Sequence, residues 1–175
     1  IDINMEDMNI DINKFEEALA ENDSKKLRGA IITFVGGQTP DLDRIYDISQ
    51  KYGIILIEDC RSSLGATYNG KKVGNLRADM TIFSTNPSNS KYAISRSGVI
   101  VTNNEDIAAR AKLLRTHALT TTYDSYGNLD YVYDVVDIGH KYDLSELDAA
   151  YALAQLNKTE KFIKRRKEIA KLYES

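Results

Sequence analysis

The sequence has one cysteine and two histidines, so thiolate and imidazole metal ligands are scarce. Cys60 alone builds neither an intrachain disulfide framework nor a multi-cysteine zinc site. His117 and His140 are too few for most metal constellations and fit no ligand spacing. A dominant charge is missing as well. The 23 lysines and arginines against 26 aspartates and glutamates leave a formal net charge of −3, which supports neither a broad cationic surface for nucleic acid nor a polybasic membrane anchor. No apolar run approaches the roughly 18 residues of a membrane helix. The acidic opening from Asp2 to Asp11 has the wrong charge for a signal or transit peptide. The expectation is a cytoplasmic, reducing location with neither nucleic acid nor membrane as partner. Walker A and GxGxxG loops, internal repeats and low-complexity tracts are also absent.

What is present fits one compact α/β domain of 175 residues and 19.7 kDa, long enough to bury roughly 70% of the unfolded chain's surface. Ala30–Val35 is an apolar, β-branched run that Gly36 and Gly37 break. Thr39 and Pro40 then read as N-cap and first helical residue, followed by Leu42, Ile45, Ile48 and Tyr52 at helical spacing, with Gly53 as the stop. Ile54–Ile57 is a short continuous apolar run of the kind found in buried parallel strands, so the segment reads as a βαβ unit. Met80–Ser84 and Val99–Thr102 read as two further strands. Asn104 caps a helix carrying Ile107, Ala111 and Leu114 and ending near Arg115. A capping box from Ser145 to Asp148 opens a long helix running almost to the end. Thr85–Ser97 and Thr120–Val136 read as loops too long to be simple connectors.

Asp59 follows the second strand and so sits at a strand's carboxyl end, where open α/β sheets place their ligands. A carboxylate there can hold a cationic ring nitrogen. Spacing alone also allows a cap or turn acid. The basic run from Lys158 to Lys171 is interleaved with Glu160 and Glu168 and reads as a solvated helix face. Several of the eleven tyrosines cluster in Tyr123–Tyr133 and read as packing for a loop or a subunit interface. The chain opens at Ile1 without a methionine and stops inside a charged helix at Ser175, so its ends read as cut from a larger polypeptide.

Four blocks, EDCRSSLGATYNGKKVG, FSTNP, SGVIVTNNEDIAARAKLLRTHA and GHKYDLSELDAAYALAQL, together with IDINKFEEAL and PDLDRIYDISQKYGI, resemble the DegT/DnrJ/EryC1/StrS family of sugar aminotransferases, in the family's order and through nearly the whole chain. The resemblance implies a partial fold-type I large domain, a mostly parallel sheet flanked by helices that binds pyridoxal 5'-phosphate (PLP). It places residues 1–143 in that domain and residues 144–175 in a long helix leading toward a C-terminal domain. Its substrates would be a nucleotide-linked keto sugar and an amino-acid amino donor, in polysaccharide biosynthesis, and its working form a homodimer with a shared site.

By the same resemblance Asp59 is the acid that pairs with the ring nitrogen, keeping the ring protonated as an electron sink. Ser84 touches the cofactor phosphate, and Ser62 stands near the ring hydroxyl, where the family usually has Gln or His. The family's Schiff-base lysine follows the FSxxP proline by two residues. Here Ser88 and Asn89 follow Pro87, and the nearest lysine is Lys91, displaced by an apparent one-residue insertion. Other departures are Ser95, Arg96, Ser97 and Gly98 in place of GEGG, Ala118 in place of a glycine, and Lys141 or Asp143 where the family commonly has an Asn that reaches the partner subunit's phosphate. The family's upstream phosphate loop and stacking aromatic would precede Ile1, so the chain by itself is expected to be inactive. Two alternatives remain: a non-catalytic relative acting as a binding or assembly subunit, and an unrelated flavodoxin-like binding domain, which explains none of the four blocks.

Overall fold

The computed structural model describes residues 1–21, 26–85, 97–123 and 129–174. They form two units, Ile1–Thr102 together with Glu146–Ser175, and Asn103–Ser145. In the first unit, α1 (Ile12–Ala20) opens under Asp11, whose carboxylate accepts the N–H groups of Asn13 and Lys14. Phe15 and Leu19, one turn apart, are its buried pair. After β1 (Gly29–Thr33) and a 3-10 turn at Val35–Gly37 comes α2 (Leu42–Tyr52). Its cap is Asp41 rather than Thr39: the Asp41 carboxylate accepts the Arg44 N–H at 3.3 Å, and aspartate is the better cap of the two. Gly53 ends the helix at φ 63°, a left-handed conformation that glycine adopts without a Cβ penalty.

β2 (Ile55–Asp59) is followed by a small hairpin, β3 (Thr67–Tyr68) and β4 (Lys71–Lys72), turned by Asn69 and Gly70 at φ 47° and 77°. β5 (Met80–Ser84) and β6 (Gly98–Val101) complete a four-stranded sheet of order β1-β2-β5-β6. The first three strands are parallel, in keeping with the mostly parallel sheet expected, and β6 runs antiparallel to β5. Pairing in register puts Ile32, Glu58, Thr81 and Val101 in one row, and Thr33, Asp59, Ile82 and Ile100 in the next, on the opposite face.

The two faces differ. On the first, Ile32, Leu56 and Phe83 pack against Phe15 and Leu19 of α1 and Leu42, Ile45 and Ile48 of α2, each burial contributing about 1.5–3 kcal/mol. On the second, Ile31, Ile55 and Ile100 are exposed, while Ile57, Met80 and Ile82 are half-buried. The apolar run at Ile54–Ile57 reads as a strand buried on both sides, but in this chain both N-terminal helices lie on one side.

The single helix expected from Ser145 is two, α4 (Glu146–Leu156) and α5 (Thr159–Glu174), because Asn157 and Lys158 form a turn. The start of α5 packs on Gly65: a Cβ there would collide with Ile163 and touch Thr159, and φ is +87°. Lys72 of β4 pairs with Glu160 at 2.7 Å.

The second unit begins with Asn104, whose side chain accepts from the N–H groups of Asp106 and Ile107 and so caps α3 (Glu105–Arg115), as expected. The expected loop at Thr120–Val136 is largely an antiparallel pair, β7 (Leu119–Tyr123) and β8 (Leu129–Val135). Threonine, tyrosine and valine are strand formers, and the hydroxyls of the first two, with the acids among them, hid that propensity. His117 and His140 lie far apart in sequence, yet the His117 N–H donates to the His140 carbonyl at 2.8 Å. Among the described residues no group of His, Cys, Asp and Glu is placed to hold a metal, and no helix is long and apolar enough to cross a membrane.

Candidate functional site

The carboxyl ends of β2 and β5 bring Asp59 and Ser84 to one place. Asp59 pairs with Ile82, and Ser84 lies two residues further along β5, so both side chains belong to the same face of the sheet. Each ends its strand, Ser84 buried and Asp59 with a side chain only 14% exposed. A pair of parallel strands thus delivers an acid and a hydroxyl to a sheet end facing the loops, the usual position of a ligand site in this architecture.

Beyond Asp59 the chain turns sharply. The Ser63 N–H donates to the Cys60 carbonyl at 2.9 Å, and the Ala66 N–H to the Ser63 carbonyl at 2.9 Å, two successive turns that carry Arg61 and Ser62 outward. Ser62 is exposed on the first of these turns. The Asp59 Oδ1 accepts the Arg61 main-chain N–H at 3.3 Å, and its Oδ2 receives the Arg61 Nη2 at 3.0 Å. Asp59 is therefore a turn acid and a strand-end acid at once, since both readings need the same carboxylate at the same place. Arg61 escaped sequence reasoning. The available signal was a cation two residues after a strand-end acid, within reach only if the chain turns there.

Glu58, the neighbour of Asp59, faces the other way. It is 0% exposed, and its two carboxyl oxygens accept the Tyr46 hydroxyl at 2.5 Å and the Thr81 hydroxyl at 2.7 Å, tying α2 and β5 to β2 behind the site. Burial, reinforced by the bond to Glu58 and its charge, holds the Tyr46 phenol far above its ordinary range. Burial also pushes the Cys60 thiol well up, with Glu58 and Asp59 adding to it, so Cys60 behaves as a small apolar residue.

Lys91 lies outside the described residues. On either side of the residues that are not described, the Thr85 N–H donates to the Ser97 carbonyl at 2.9 Å and the two side-chain hydroxyls are also bonded. Ala118 occupies a left-handed conformation, φ 53°, where glycine fits without strain, which explains why a glycine suits this position. Asp143 accepts the Thr116 hydroxyl at 3.2 Å, and both Lys141 and Asp143 are exposed. A cavity of about 360 Å³ lined by Tyr46, Ser49, Arg77 and Asp79 opens near the amino ends of β2 and β5, away from Asp59 and Ser84.

A mostly parallel α/β sheet with an acid and a hydroxyl at adjacent strand ends defines the class: an α/β protein that gathers polar groups at the carboxyl edge of its sheet. The pattern of the DegT/DnrJ/EryC1/StrS aminotransferase family matches residues 1–175, and the chain belongs to that family. The family's aminotransferases depend on PLP. The chain is 34% identical over 170 residues to the UDP-4-amino-4,6-dideoxy-N-acetyl-beta-L-altrosamine transaminase of Campylobacter jejuni subsp. jejuni serotype O:23/36, covering 96% of this chain and 42% of the relative. It is 33% identical over 177 residues to the uncharacterized protein MJ1066 of Methanocaldococcus jannaschii, covering 99% of this chain and 44% of that protein. Among solved structures it is similar to PseC of Helicobacter pylori, an aminotransferase of pseudoaminic acid biosynthesis, with TM-score 0.85 and 25% identity over 99% of this chain and 43% of the other. The chain thus spans under half the length of the curated relatives it matches.

Proposed function

We propose that this chain is part of the large domain of a PLP-dependent aminotransferase acting on a nucleotide-linked keto sugar, with an amino acid as amino donor. The observation that carries the reading is the placement of Asp59 and Ser84 on one face at adjacent parallel strand ends. The donor set fits the cofactor. Asp59 already binds a planar cation, the Arg61 guanidinium, so it is competent to hold a protonated ring nitrogen. In this reading Ser84 donates to the phosphate, Ser62 stands near the ring hydroxyl, and Lys91 is the catalytic lysine that carries the cofactor. PLP when bound supplies an electron sink for the substrate carbon. Residues 1–143 belong to the large domain, residues 144–175 lead toward a C-terminal domain, and the working form is a homodimer in the cytoplasm. The chain alone is inactive, because cofactor affinity depends on several preorganised contacts acting together.

The second reading, a non-catalytic relative serving as a binding or assembly subunit, is favoured by the displaced lysine register after Pro87. One experiment separates the two. The protein at its full natural length is mixed with PLP, reduced with borohydride and mapped by peptide analysis. The enzyme reading expects a modified Lys91, with the modification abolished by Lys91→Ala and unaffected by Lys71→Ala. No adduct on any lysine selects the non-catalytic relative.

A further inference from the structure

We propose that Arg61 is a built-in competitor for the cofactor's ring nitrogen, so that capture of the cofactor exchanges one cation for another on Asp59. The inference rests on the reading of Asp59 given above and adds a residue to it. Both oxygens of the Asp59 carboxylate are engaged by Arg61, Oδ1 by its main-chain N–H at 3.3 Å and Oδ2 by Nη2 at 3.0 Å. The first contact belongs to the turn and survives any movement of the side chain. The second is the one a ligand displaces.

Exposure makes the exchange feasible. The Asp59 side chain is 14% exposed and fixed by its strand, whereas the Arg61 side chain is 56% exposed, so water receives the guanidinium when it leaves. No backbone has to move. Chemistry makes the exchange selective. A guanidinium and a protonated pyridine nitrogen are both planar cations that donate N–H to a carboxylate, and either one compensates the largely buried charge. A ring lacking the positive nitrogen cannot replace what Arg61 provides.

Apparent affinity is reduced by the fraction of time Asp59 is available, and a partly exposed pair of this kind reduces it about fivefold. The test uses the protein at its full natural length, freed of cofactor, and two probes. One is PLP. The other is pyridoxine 5'-phosphate, which keeps the ring nitrogen and phosphate but has no aldehyde, so its binding is independent of any lysine. Parent, Arg61→Ala, Asp59→Asn and the double variant are titrated by fluorescence, with circular dichroism confirming their fold. The expected result is pyridoxine 5'-phosphate binding about fivefold tighter in Arg61→Ala than in the parent, weaker binding in Asp59→Asn, and no gain from Arg61→Ala in the Asp59→Asn background. The last comparison removes any effect of the lost positive charge on the phosphate. Binding by all four proteins with no gain in Arg61→Ala overturns the inference alone. Binding of neither probe by any of the four overturns the cofactor reading of Asp59 and this inference with it.

Discussion

Glu58 and Asp59 are consecutive carboxylates on one strand with opposite environments. Glu58 faces the helices, is sealed from water, and joins three elements through the Tyr46 and Thr81 hydroxyls. Asp59 faces the sheet's other side at the strand's end and pairs with Arg61, in a pair that water reaches. A strand's two-residue period produces this difference, turning one side chain into the core and the next away from it. The same alternation separates Ile32, which is 1% exposed, from Ile31, which is 66% exposed. One face of this sheet holds the fold together, and the other face, at its carboxyl edge, carries Asp59 and Ser84.

The largest expected effect breaks the comparison at Glu58. Glu58→Ala leaves two hydroxyls unmatched and opens a cavity, which costs about 3–5 kcal/mol in urea unfolding. Asp59→Asn costs under about 1 kcal/mol, because its partner is a solvated guanidinium. Equal losses in the two variants would mean that the faces do not differ as described. Next come the paired isoleucines: Ile32→Ala in the 175-residue chain costs about 2–5 kcal/mol, and Ile31→Ala under about 1 kcal/mol. A large loss at Ile31 would show that this face is covered. The smallest effect concerns a surface pair. The side-chain bond from Lys72, followed by its charge, holds the Glu160 carboxyl below its ordinary value of 4.5. A carboxyl lowered by folding contributes stability above its ordinary value, and that contribution disappears as pH falls through the lowered one. Acid unfolding of Glu160→Gln is therefore expected to show a slightly flatter acid limb than the parent, with the difference vanishing at high salt.

Much of the fold was legible because its signals are local. The Gly53 stop, the Asn104 cap and the apolar runs of the parallel strands each depend on neighbours within a turn or two, and each appears where its residues place it. The failures were also local in origin. Thr39 and Asp41 compete for one cap, Asn157 and Lys158 break a helix whose apolar periodicity runs on, and the Thr- and Tyr-rich segment hides a strand pair under polar side chains. For the site, Asp59 and Ser84 were legible as strand-end residues, while Lys91 rests on sequence register alone.

By itself, the sequence determined the class of fold, the order of its elements, the family, and the acid at the end of the second strand, because periodicity and motif order are written along the chain. Tertiary structure decided what each acid does. Glu58 and Asp59 read alike as letters. Only the pairing of β2 with β5, the packing of α2 on one face, and the turn that folds Arg61 back onto Asp59 make one a buried strut and the other a charged strand-end group. The part of Glu58 depends on Tyr46 and Thr81, which reach it from distant parts of the chain, and local sequence carries no record of those meetings, whereas the Asp59–Arg61 pair needs only the turn between neighbours.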